Sequence, residues 1–370
     1  MIIGVPKEIK IQEYRVAIIP SGVAELVRAG HKVLIERGAG VGSAYTDQEY
    51  EQNGAKIVST KEAWATQLVV KVKEPLSSEY HYLQGQILFT FLHLAGVEKE
   101  LTRRLLTSGT TAIAYETLED EQGRLPLLAP MSAIAGNMAA LVGAYYLAKY
   151  NNGNGVQLGK VLGTRHGKAL VIGDGVVGSH AAHTLNGMGA NVFQSGLSEL
   201  KSGMQLSGEL EGVEYFFSTA KAIAKNCIDA DLVIGAVLNK GAKAPYIVTE
   251  EMVKSMRKGT VIVDVSIDQG GCIETSRATT HDSPVYLKHG VTHYCVTNMP
   301  GAYPRTSTMA LCAETLMYIH LLADKGVSGI CAQANVSKAI NIYKSRIVNQ
   351  QIATSLNMLE TYISLNELCE

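Results

Sequence analysis

The chain has 370 residues, a formal net charge of −1 and a hydrophobic fraction of 46%. The chain lacks the basic excess that is typical of nucleic-acid-binding proteins, and it has no acidic tail. No apolar run reaches the ~18 residues that a membrane span needs, and the N-terminal residues do not form a signal peptide. We therefore expect a cytoplasmic protein with no nucleic-acid or membrane partner, and the length favours two domains.

The first 128 residues alternate short apolar strands with amphipathic helices. Pro20 begins the first predicted helix, whose apolar face carries Val23, Leu26 and Val27. The predicted strands of this region are Ile2–Val5, Lys32–Ile35, Leu68–Val72, Ile87–Leu92 and Ala112–Tyr115. Such alternation is typical of a parallel α/β domain.

Residues 130–150 predict one long helix with Ser132 as its N-cap, and residues 151–155 form the clearest break in the chain. A second α/β region follows, with predicted strands at Ala169–Ile172, Asn191–Gln194, Leu232–Ala236, Val261–Val265 and His293–Thr297. Residues 306–308 are then predicted to cap a second long helix, Met309–Leu322. The remaining tail has a helical pattern and is expected to return to the first domain.

The six cysteines begin at Cys227 and never form a Cys-x-x-Cys pair. A disulfide framework or a zinc site would need tighter grouping. The spacing therefore favours free thiols in a reducing compartment and predicts no bound metal.

Residues 173–178 read Gly-Asp-Gly-Val-Val-Gly between an apolar strand and a helix. In a dinucleotide-binding βαβ unit, the first glycine allows a tight turn, the second admits the pyrophosphate and the third lets the helix approach the strand. The helix N-terminus adds N–H groups and a positive dipole end. The alternative is an ordinary glycine turn, but the strand before and the helix after favour dinucleotide binding. The cofactor residues predicted from this turn are Gly173, Gly175, Val176, Val177 and Gly178.

The ribose side of this predicted site departs from the usual pattern. Asp174 lies inside the turn, where a carboxylate repels phosphate unless it points away. The second strand leads into Ser195 and Gly196, where an Asp or Glu usually binds the adenosine ribose. The nearest acid further along the chain is Glu199. We therefore expect a weaker ribose site, in which Gly196→Asp tightens NAD(H) binding and excludes NADP(H).

Polar side chains follow several predicted strands, at the edge where parallel sheets bind ligands. Lys73, His93 and Glu116 follow three strands of the first region, Asp268 follows a buried strand of the second, and Arg15 lies in an early loop. Each has a structural alternative, such as a solvated lysine, a buried hydrogen-bonded histidine or a turn aspartate. Together they favour a small keto or amino acid, with two cations for its carboxylate and carbonyl and an imidazole for proton transfer.

Longer motifs surround these residues, namely Glu13–Ala17, Val70–Pro75, Leu92–Leu94, Ala114–Thr117, Leu125–Ser132, Asp264–Cys272 and Asn298–Ala302. In these motifs the chain closely resembles the bacterial L-alanine dehydrogenases. Their family also contains the dinucleotide-binding subunit of proton-translocating transhydrogenase. The resemblance extends from Gly4 to about Tyr343.

The resemblance implies an α/β fold of two Rossmann-like parallel-sheet domains joined by long helices, with the dinucleotide-binding domain inserted in the middle of the chain. Residues 1–128 and 305–370 would form the catalytic domain, and residues 129–304 the dinucleotide-binding domain. The implied activity is reversible NAD-dependent deamination of L-alanine to pyruvate and ammonia by a homohexamer. The alternatives are a dehydrogenase of another small 2-oxo or amino acid and a transhydrogenase-like nucleotide-binding module without turnover.

The resemblance also implies individual roles. Arg15 and Lys73 would bind the substrate carboxylate and its oxo or amino group, and His93 and Asp268 would be the acid–base pair. Which of the two performs each proton transfer stays open. The remaining implied cofactor positions, with Asp268 among them, are Ser132, Gly196, Ser218, Val237, Leu238, Asp268, Asn298 and Met299.

The departures from the family lie on the cofactor side. The family usually has an acid at Gly196, Gly or Ala at Asp174, Glu at Ala133, and Arg or Lys at Asn137. The four proposed chemical residues are all present, which argues against a silent module. NAD is the expected cofactor because no Arg replaces the ribose acid, the nearest cation being Lys201. NADP use remains possible because that acid is absent from the strand end.

Overall fold

The structure is a computed structural model that describes residues 1–96, 99–198, 210–238 and 244–369. The chain forms two compact units, the first made of Met1–Met131 and Tyr303–Glu370 and the second of Ser132–Ala302. Among the described residues, no helix is both long and apolar enough to cross a membrane.

The first part of the chain builds most of the first unit. Its elements are β1 Ile2–Val5, α1 Pro20–Arg28, β2 Lys32–Glu36, α2 Asp47–Gln52, β3 Lys56–Val58, α3 Thr60–Trp64, β4 Leu68–Val70, β5 Ile87–Thr90, α4 Lys99–Ser108 and β6 Thr111–Ala114. Pro20 occupies the first turn of α1, as predicted, because its missing N–H needs no partner there. Thr46 and Ser59 begin α2 and α3 with reciprocal capping boxes.

The boundary between the units falls within α5, Ala129–Tyr146. The second unit continues with β7 Gly159–Val161, β8 Thr164–His166, β9 Lys168–Ile172, α6 Val176–Met188, β10 Asn191–Gly196, β11 Glu214–Phe217, α7 Ala220–Cys227, β12 Leu232–Gly235, α8 Glu250–Ser255, β13 Val261–Asp264, β14 Val285–Lys288 and β15 Val291–Tyr294. The chain then returns to the first unit through α9 Pro304–Cys331, β16 Ile340–Tyr343, β17 Arg346–Ile347, α10 Gln350–Ser355 and α11 Leu365–Cys369.

The first unit contains an eight-stranded sheet in the order β17-β16-β6-β5-β4-β1-β2-β3. The strands from β6 to β3 are parallel, whereas β16 and β17 extend the sheet as antiparallel strands. Since β1, β4, β5 and β6 run in the same direction, the segments that follow them emerge at one edge. The polar residues of this unit that were predicted from the sequence lie in these segments.

The second unit contains a seven-stranded sheet in the order β11-β10-β9-β12-β13-β15-β14. All of its strands are parallel except β14, which pairs antiparallel with β15 at the edge. The chain winds outward from β9 first to one side and then to the other, as in dinucleotide-binding folds. Apolar clusters cover both faces of the sheet, which explains why its inner strands are continuously buried.

The predicted α/β class with parallel sheets is confirmed, but several local predictions are wrong. Ser132 does not cap α5, because that helix begins at Ala129 and Ser132 lies in its first turn. Residues 306–308 do not cap α9, because Tyr303 is its N-cap and Pro304 its first residue. The helix also continues past Leu322 to Cys331, with Gly326 outside helical geometry at φ 61° and ψ −158°.

Strand predictions failed where strands are short or lie at sheet edges. The strands not predicted are β3, β7, β8, β11, β14, β16 and β17. The predicted helical tail contains the β16–β17 pair, which joins β6 of the first sheet. A strand of two to four residues holds too few side chains to show an alternating pattern of its own.

Candidate functional site

The glycine-rich turn between β9 and α6 has the geometry of a dinucleotide cradle. Gly173 has a φ of 119°, and a Cβ there would clash with the carbonyl oxygen of Ala236. A Cβ on Gly178 would clash with the carbonyl oxygen of Gly173. These two positions therefore require glycine, one for the turn and one for close packing of α6.

The space beside Gly175 is open. Apart from Gly175 itself and its two chain neighbours, no described residue has a heavy atom within 4 Å of the place that a Cβ would occupy here. Gly175 is also the N-cap of α6 and provides no side-chain cap for the first-turn N–H groups of the helix, which begins at Val176 and Val177. Backbone donors and a positive dipole end beside open space suit a pyrophosphate, so the turn fits a dinucleotide.

Apolar side chains are exposed at the same edge of the second sheet. Val176 is 42% exposed, Leu197 is 80% exposed and Leu238 is 53% exposed. They belong to the segments that follow β9, β10 and β12, where a parallel sheet binds its ligand. Exposed apolar surface around a polar cradle is what an adenine ring needs for burial. Leu197 was not predicted; it directly follows β10, which extends two residues beyond the predicted strand Asn191–Gln194.

The end of β10 holds an acid that the sequence did not reveal. Tyr215, on β11, donates its hydroxyl to Asp174 Oδ2 over 2.8 Å and accepts a bond from the Ser198 N–H at 3.2 Å. A Cβ on Gly196 would clash with this hydroxyl and with the Asp174 carboxyl group. Burial and the bond to Asp174 raise the pKa of Tyr215, so its hydroxyl stays protonated. The expectation that no carboxylate lies at this strand end is therefore wrong.

Asp268 lies in a turn that a buried acid organises. Asp264, at the end of β13, is fully buried, and its carboxylate accepts bonds from the N–H groups of Ser266 and Cys272, each at 3.1 Å. Burial raises the pKa of Asp264, and hydrogen bonds from the Ser276 side chain and from Ile273 and Cys272 oppose the rise. Asp268 itself is exposed, and its Oδ1 accepts from the Asn298 N–H at 3.3 Å. The sequence motif contained Asp264 but did not show that it holds the turn.

The other predicted cofactor positions differ in exposure. Ser132, Ser218 and Val237 are partly exposed, and Ser218 donates its N–H to the Gly196 carbonyl oxygen at 2.8 Å. Met299 is only 2% exposed and packs into the hydrophobic core of the second unit. Met299 is thus a core side chain in this structure, whereas Asn298 is partly exposed.

Arg15 is buried in the first unit against an acid. Its guanidinium makes a two-point contact with Glu13, with Nε to Oε1 at 2.7 Å and Nη2 to Oε2 at 2.6 Å. A third bond runs from Nη1 to the Met131 sulfur at 2.9 Å. Arg15 is 2% exposed and Glu13 is 4% exposed. This bidentate pairing fixes the plane of the guanidinium.

Lys73 follows β4 on a backbone that another buried acid holds. Glu8 Oε1 accepts from the N–H groups of Val72 at 2.7 Å and Lys73 at 3.3 Å. Burial raises the pKa of Glu8, Lys71 opposes the rise at 3.3 Å, and the charge of Glu13 adds to it. Glu8 lies on the same segment as Arg15, and its hydrogen bonds therefore connect that segment to the one that carries Lys73. Neither Glu8 nor the fully buried Lys71 was predicted, because their burial depends on the packing of β1 against β4.

His93 follows β5 in a strained conformation. Its φ is 47°, and its N–H donates to Glu116 Oε1 at 2.6 Å while the Leu92 N–H donates to Oε2 at 3.2 Å. The imidazole is 45% exposed and stacks on Phe91 with 3° between the ring planes. The Phe91 N–H donates to the Val72 carbonyl oxygen at 3.3 Å, so the segments carrying His93 and Lys73 are neighbours. Positive φ outside glycine is uncommon and marks candidate functional positions.

One group of potential metal ligands occurs within the described ranges. His31, His320 and Asp324 have ligand atoms within 4.8 Å of one another. His31 already contacts Asp324 at 3.0 Å and the Met1 amino group at 3.2 Å. No other such group occurs in the part of the chain that the structure describes, and the expected absence of a metal stays a prediction.

Comparisons with known proteins give matches over both the N-terminal and the C-terminal parts of the chain. The family model of the N-terminal domain of alanine dehydrogenase/PNT matches residues 4–135, and the model of the C-terminal domain matches residues 139–350. The alanine dehydrogenase of Mycolicibacterium smegmatis is 47% identical over 365 residues, covering 97% of each chain. That of Staphylococcus haemolyticus is 48% identical over 368 residues, covering 98% of each.

Solved structures give the same result. An L-alanine dehydrogenase superposes with a TM-score of 0.91 at 45% identity, covering 97% of this chain and 100% of that one. A transhydrogenase from Sinorhizobium meliloti superposes with a TM-score of 0.79 at 24% identity over 95% of this chain and 99% of that one, which shows a shared fold. The resemblance inferred from the motifs is confirmed, and the chain belongs to the alanine dehydrogenase/PNT family, whose enzymes use a nicotinamide dinucleotide.

Proposed function

We propose that this protein is an alanine dehydrogenase that catalyses the reversible, NAD-dependent oxidative deamination of L-alanine to pyruvate and ammonia. The observation that carries the proposal is the presence in one chain of a dinucleotide cradle at Gly173–Gly178 and a charged strand edge bearing Arg15, Lys73 and His93. Full-length relatives at 47% and 48% identity named alanine dehydrogenase support it. We extend the proposal to a cytoplasmic homohexamer, as the family resemblance implies.

The residues of the first unit suit a small amino acid. A guanidinium held flat by Glu13 and an ammonium on a fixed backbone offer two cations for the carboxylate and the oxo or amino group. Because Arg15 is 2% exposed, any anion that it binds is largely desolvated, which strengthens the attraction.

The proton transfers fall to His93 and Asp268 in this proposal. A nicotinamide dinucleotide held at the glycine-rich turn would supply the hydride acceptor for C2 of alanine. The amino group must be neutral before the hydride leaves, and the exposed imidazole of His93 can accept its proton. The carboxyl group of Asp268 is of the type that stabilises a cationic imine of the substrate or activates the water that adds to it.

Substituting Arg15→Ala or Lys73→Ala should raise the KM for pyruvate by about 10- to 100-fold, because each change removes a cation that faces a small anion. Steady-state kinetics at saturating NADH and ammonium measure the effect. Melting temperature is the control, since Arg15 also pairs with buried Glu13. An unchanged KM together with a sharp loss of stability would assign both residues a structural role.

Glu116 should position His93 rather than react itself. Glu116→Ala removes the carboxylate that accepts hydrogen bonds from two backbone N–H groups. His93 is then no longer held at its positive φ. We expect kcat to fall by about 10- to 100-fold, since small misplacements of catalytic groups are costly. Glu116→Gln retains one acceptor oxygen and should recover most of kcat. Equal loss in both variants would contradict a positioning role.

The proposed function is tested by following NADH oxidation with pyruvate and ammonium, omitting each in turn. The proposal predicts turnover only with all three present. Turnover without ammonium would indicate a 2-oxo acid reductase instead. NADH binding without turnover on any 2-oxo acid would indicate a nucleotide-binding module. Sedimentation velocity tests the homohexamer separately.

A further inference from the structure

We propose that Asp174 supplies the carboxylate that binds the adenosine ribose of NAD(H) and rejects NADP(H), in place of an acid on residue 196. This inference rests on the proposed NAD-dependent function. It assigns the ribose role to a side chain from the glycine turn itself. The alternative, drawn from the sequence alone, was a site with no ribose acid and a tolerance for NADP(H).

The position of the Asp174 carboxyl group supports this assignment. The Cβ atom of any side chain at residue 196 would clash with the carboxyl carbon and Oδ2 of Asp174. Asp174 therefore fills the space into which a strand-end acid would project at the end of β10. In folds of this type that strand end is where the adenosine ribose hydroxyls are bound.

The orientation of the carboxylate is the second argument. Tyr215 lies opposite Gln194 in the parallel pairing of β11 with β10, and its hydroxyl holds Asp174 Oδ2 at 2.8 Å. The same hydroxyl accepts the Ser198 N–H, just beyond the strand end, at 3.2 Å. This network turns Asp174 toward the ends of β10 and β11. An acid inside a phosphate-binding turn is thereby directed to the ribose side.

The surroundings agree with an adenosine site. Asp174 is partly exposed, as a ligand-binding carboxylate must be. Leu197, the next residue after the strand end, is 80% exposed and offers apolar surface for a base. An ionised carboxylate accepts strong hydrogen bonds from ribose hydroxyls, and it repels the added charge of a 2′-phosphate.

The exchange of residues between the two positions makes a sharp test possible. Asp174→Asn keeps the size of the side chain and removes its charge. Gly196→Asp alone would crowd two carboxylates and the Tyr215 hydroxyl at one point. The double variant Asp174→Gly with Gly196→Asp returns the acid to the strand end and vacates its present place. Glu251→Gln, on the surface of α8 with a side chain 81% exposed, is the control for loss of one negative charge.

Isothermal titration calorimetry with NADH and with NADPH measures both dissociation constants without reference to turnover. We expect Asp174→Asn to weaken NADH binding by about 10- to 100-fold and to narrow the difference between the two cofactors. Gly196→Asp alone should weaken NADH binding, contrary to the expectation from sequence, and the double variant should restore both affinity and discrimination. Glu251→Gln should match the unmodified protein.

Two results would overturn the assignment. One is unchanged affinity for both cofactors in Asp174→Asn, and the other is tighter NADH binding in Gly196→Asp alone. Circular dichroism melting identifies a variant that fails to fold, and the double variant then decides the matter. If cofactor selectivity follows the prediction but alanine is not oxidised, the ribose assignment stands and the proposed function fails.

Discussion

Replacing His93 with Asn should lower kcat in both directions by about 10²–10⁴-fold, the range for loss of a proton-transfer group. Asn is the informative choice because residue 93 has a φ of 47°, and Asn adopts this left-handed region more readily than most residues. The backbone bond to Glu116 can therefore persist while the imidazole is lost. Steady-state kinetics with alanine and NAD⁺, and with pyruvate and ammonium, measure the effect.

The control for this substitution is His166→Asn, which removes an exposed imidazole from β8. It should leave kcat unchanged, and both variants should bind NADH like the unmodified protein. Near-normal turnover in His93→Asn would remove His93 from the chemistry and leave its strained backbone unexplained by function.

Replacing Asp268 with Asn should also reduce kcat by about 10²–10⁴-fold, because the proposed function assigns its carboxylate to a developing cation of the substrate. The amide keeps an oxygen that can accept the Asn298 N–H, so the turn need not rearrange. The substitution thus separates charge from structure. Rapid-mixing measurement of the first turnover, together with steady-state kcat, locates the loss in the chemical steps.

Asp282→Asn, at an exposed turn position of the same unit, is the matched control for Asp268→Asn. It removes one negative charge and should leave turnover unaltered. If Asp268→Asn behaves like Asp282→Asn, the carboxylate of Asp268 has no catalytic role and His93 must be considered alone.

Local signals in the sequence predicted the dinucleotide cradle well. The strand, the turn at 173–178 and the helix are continuous in the chain, and Gly178 packs directly against Gly173, although the contact of Gly173 with Ala236 is long-range. The long strands of both sheets were predicted for the same reason, because continuous apolar runs identify buried parallel strands. Helix starts were less accurate where Pro304 or Ala129, rather than a hydroxyl side chain, begins the helix.

Long-range contacts could not be predicted. Asp174 and Tyr215 are 41 residues apart, and they meet only because β11 pairs with β10 in a particular register. Glu8 likewise accepts a hydrogen bond from the N–H group of Val72, which lies 64 residues further along the chain. A single sequence shows that Asp174 and Glu8 are present, but not that Glu8 is buried or which groups the two acids contact. The expectation of a strand end without a carboxylate failed for this reason.

The most direct test of the central claim follows a single atom. Protein incubated with L-alanine carrying deuterium at C2 and with NAD⁺ should yield pyruvate, ammonia and reduced cofactor in equal amounts, with one deuterium in each reduced nicotinamide by mass spectrometry. That result would establish hydride transfer from C2 of alanine. Reduced cofactor without deuterium, or no reduction by a protein that binds NADH normally, would contradict the account.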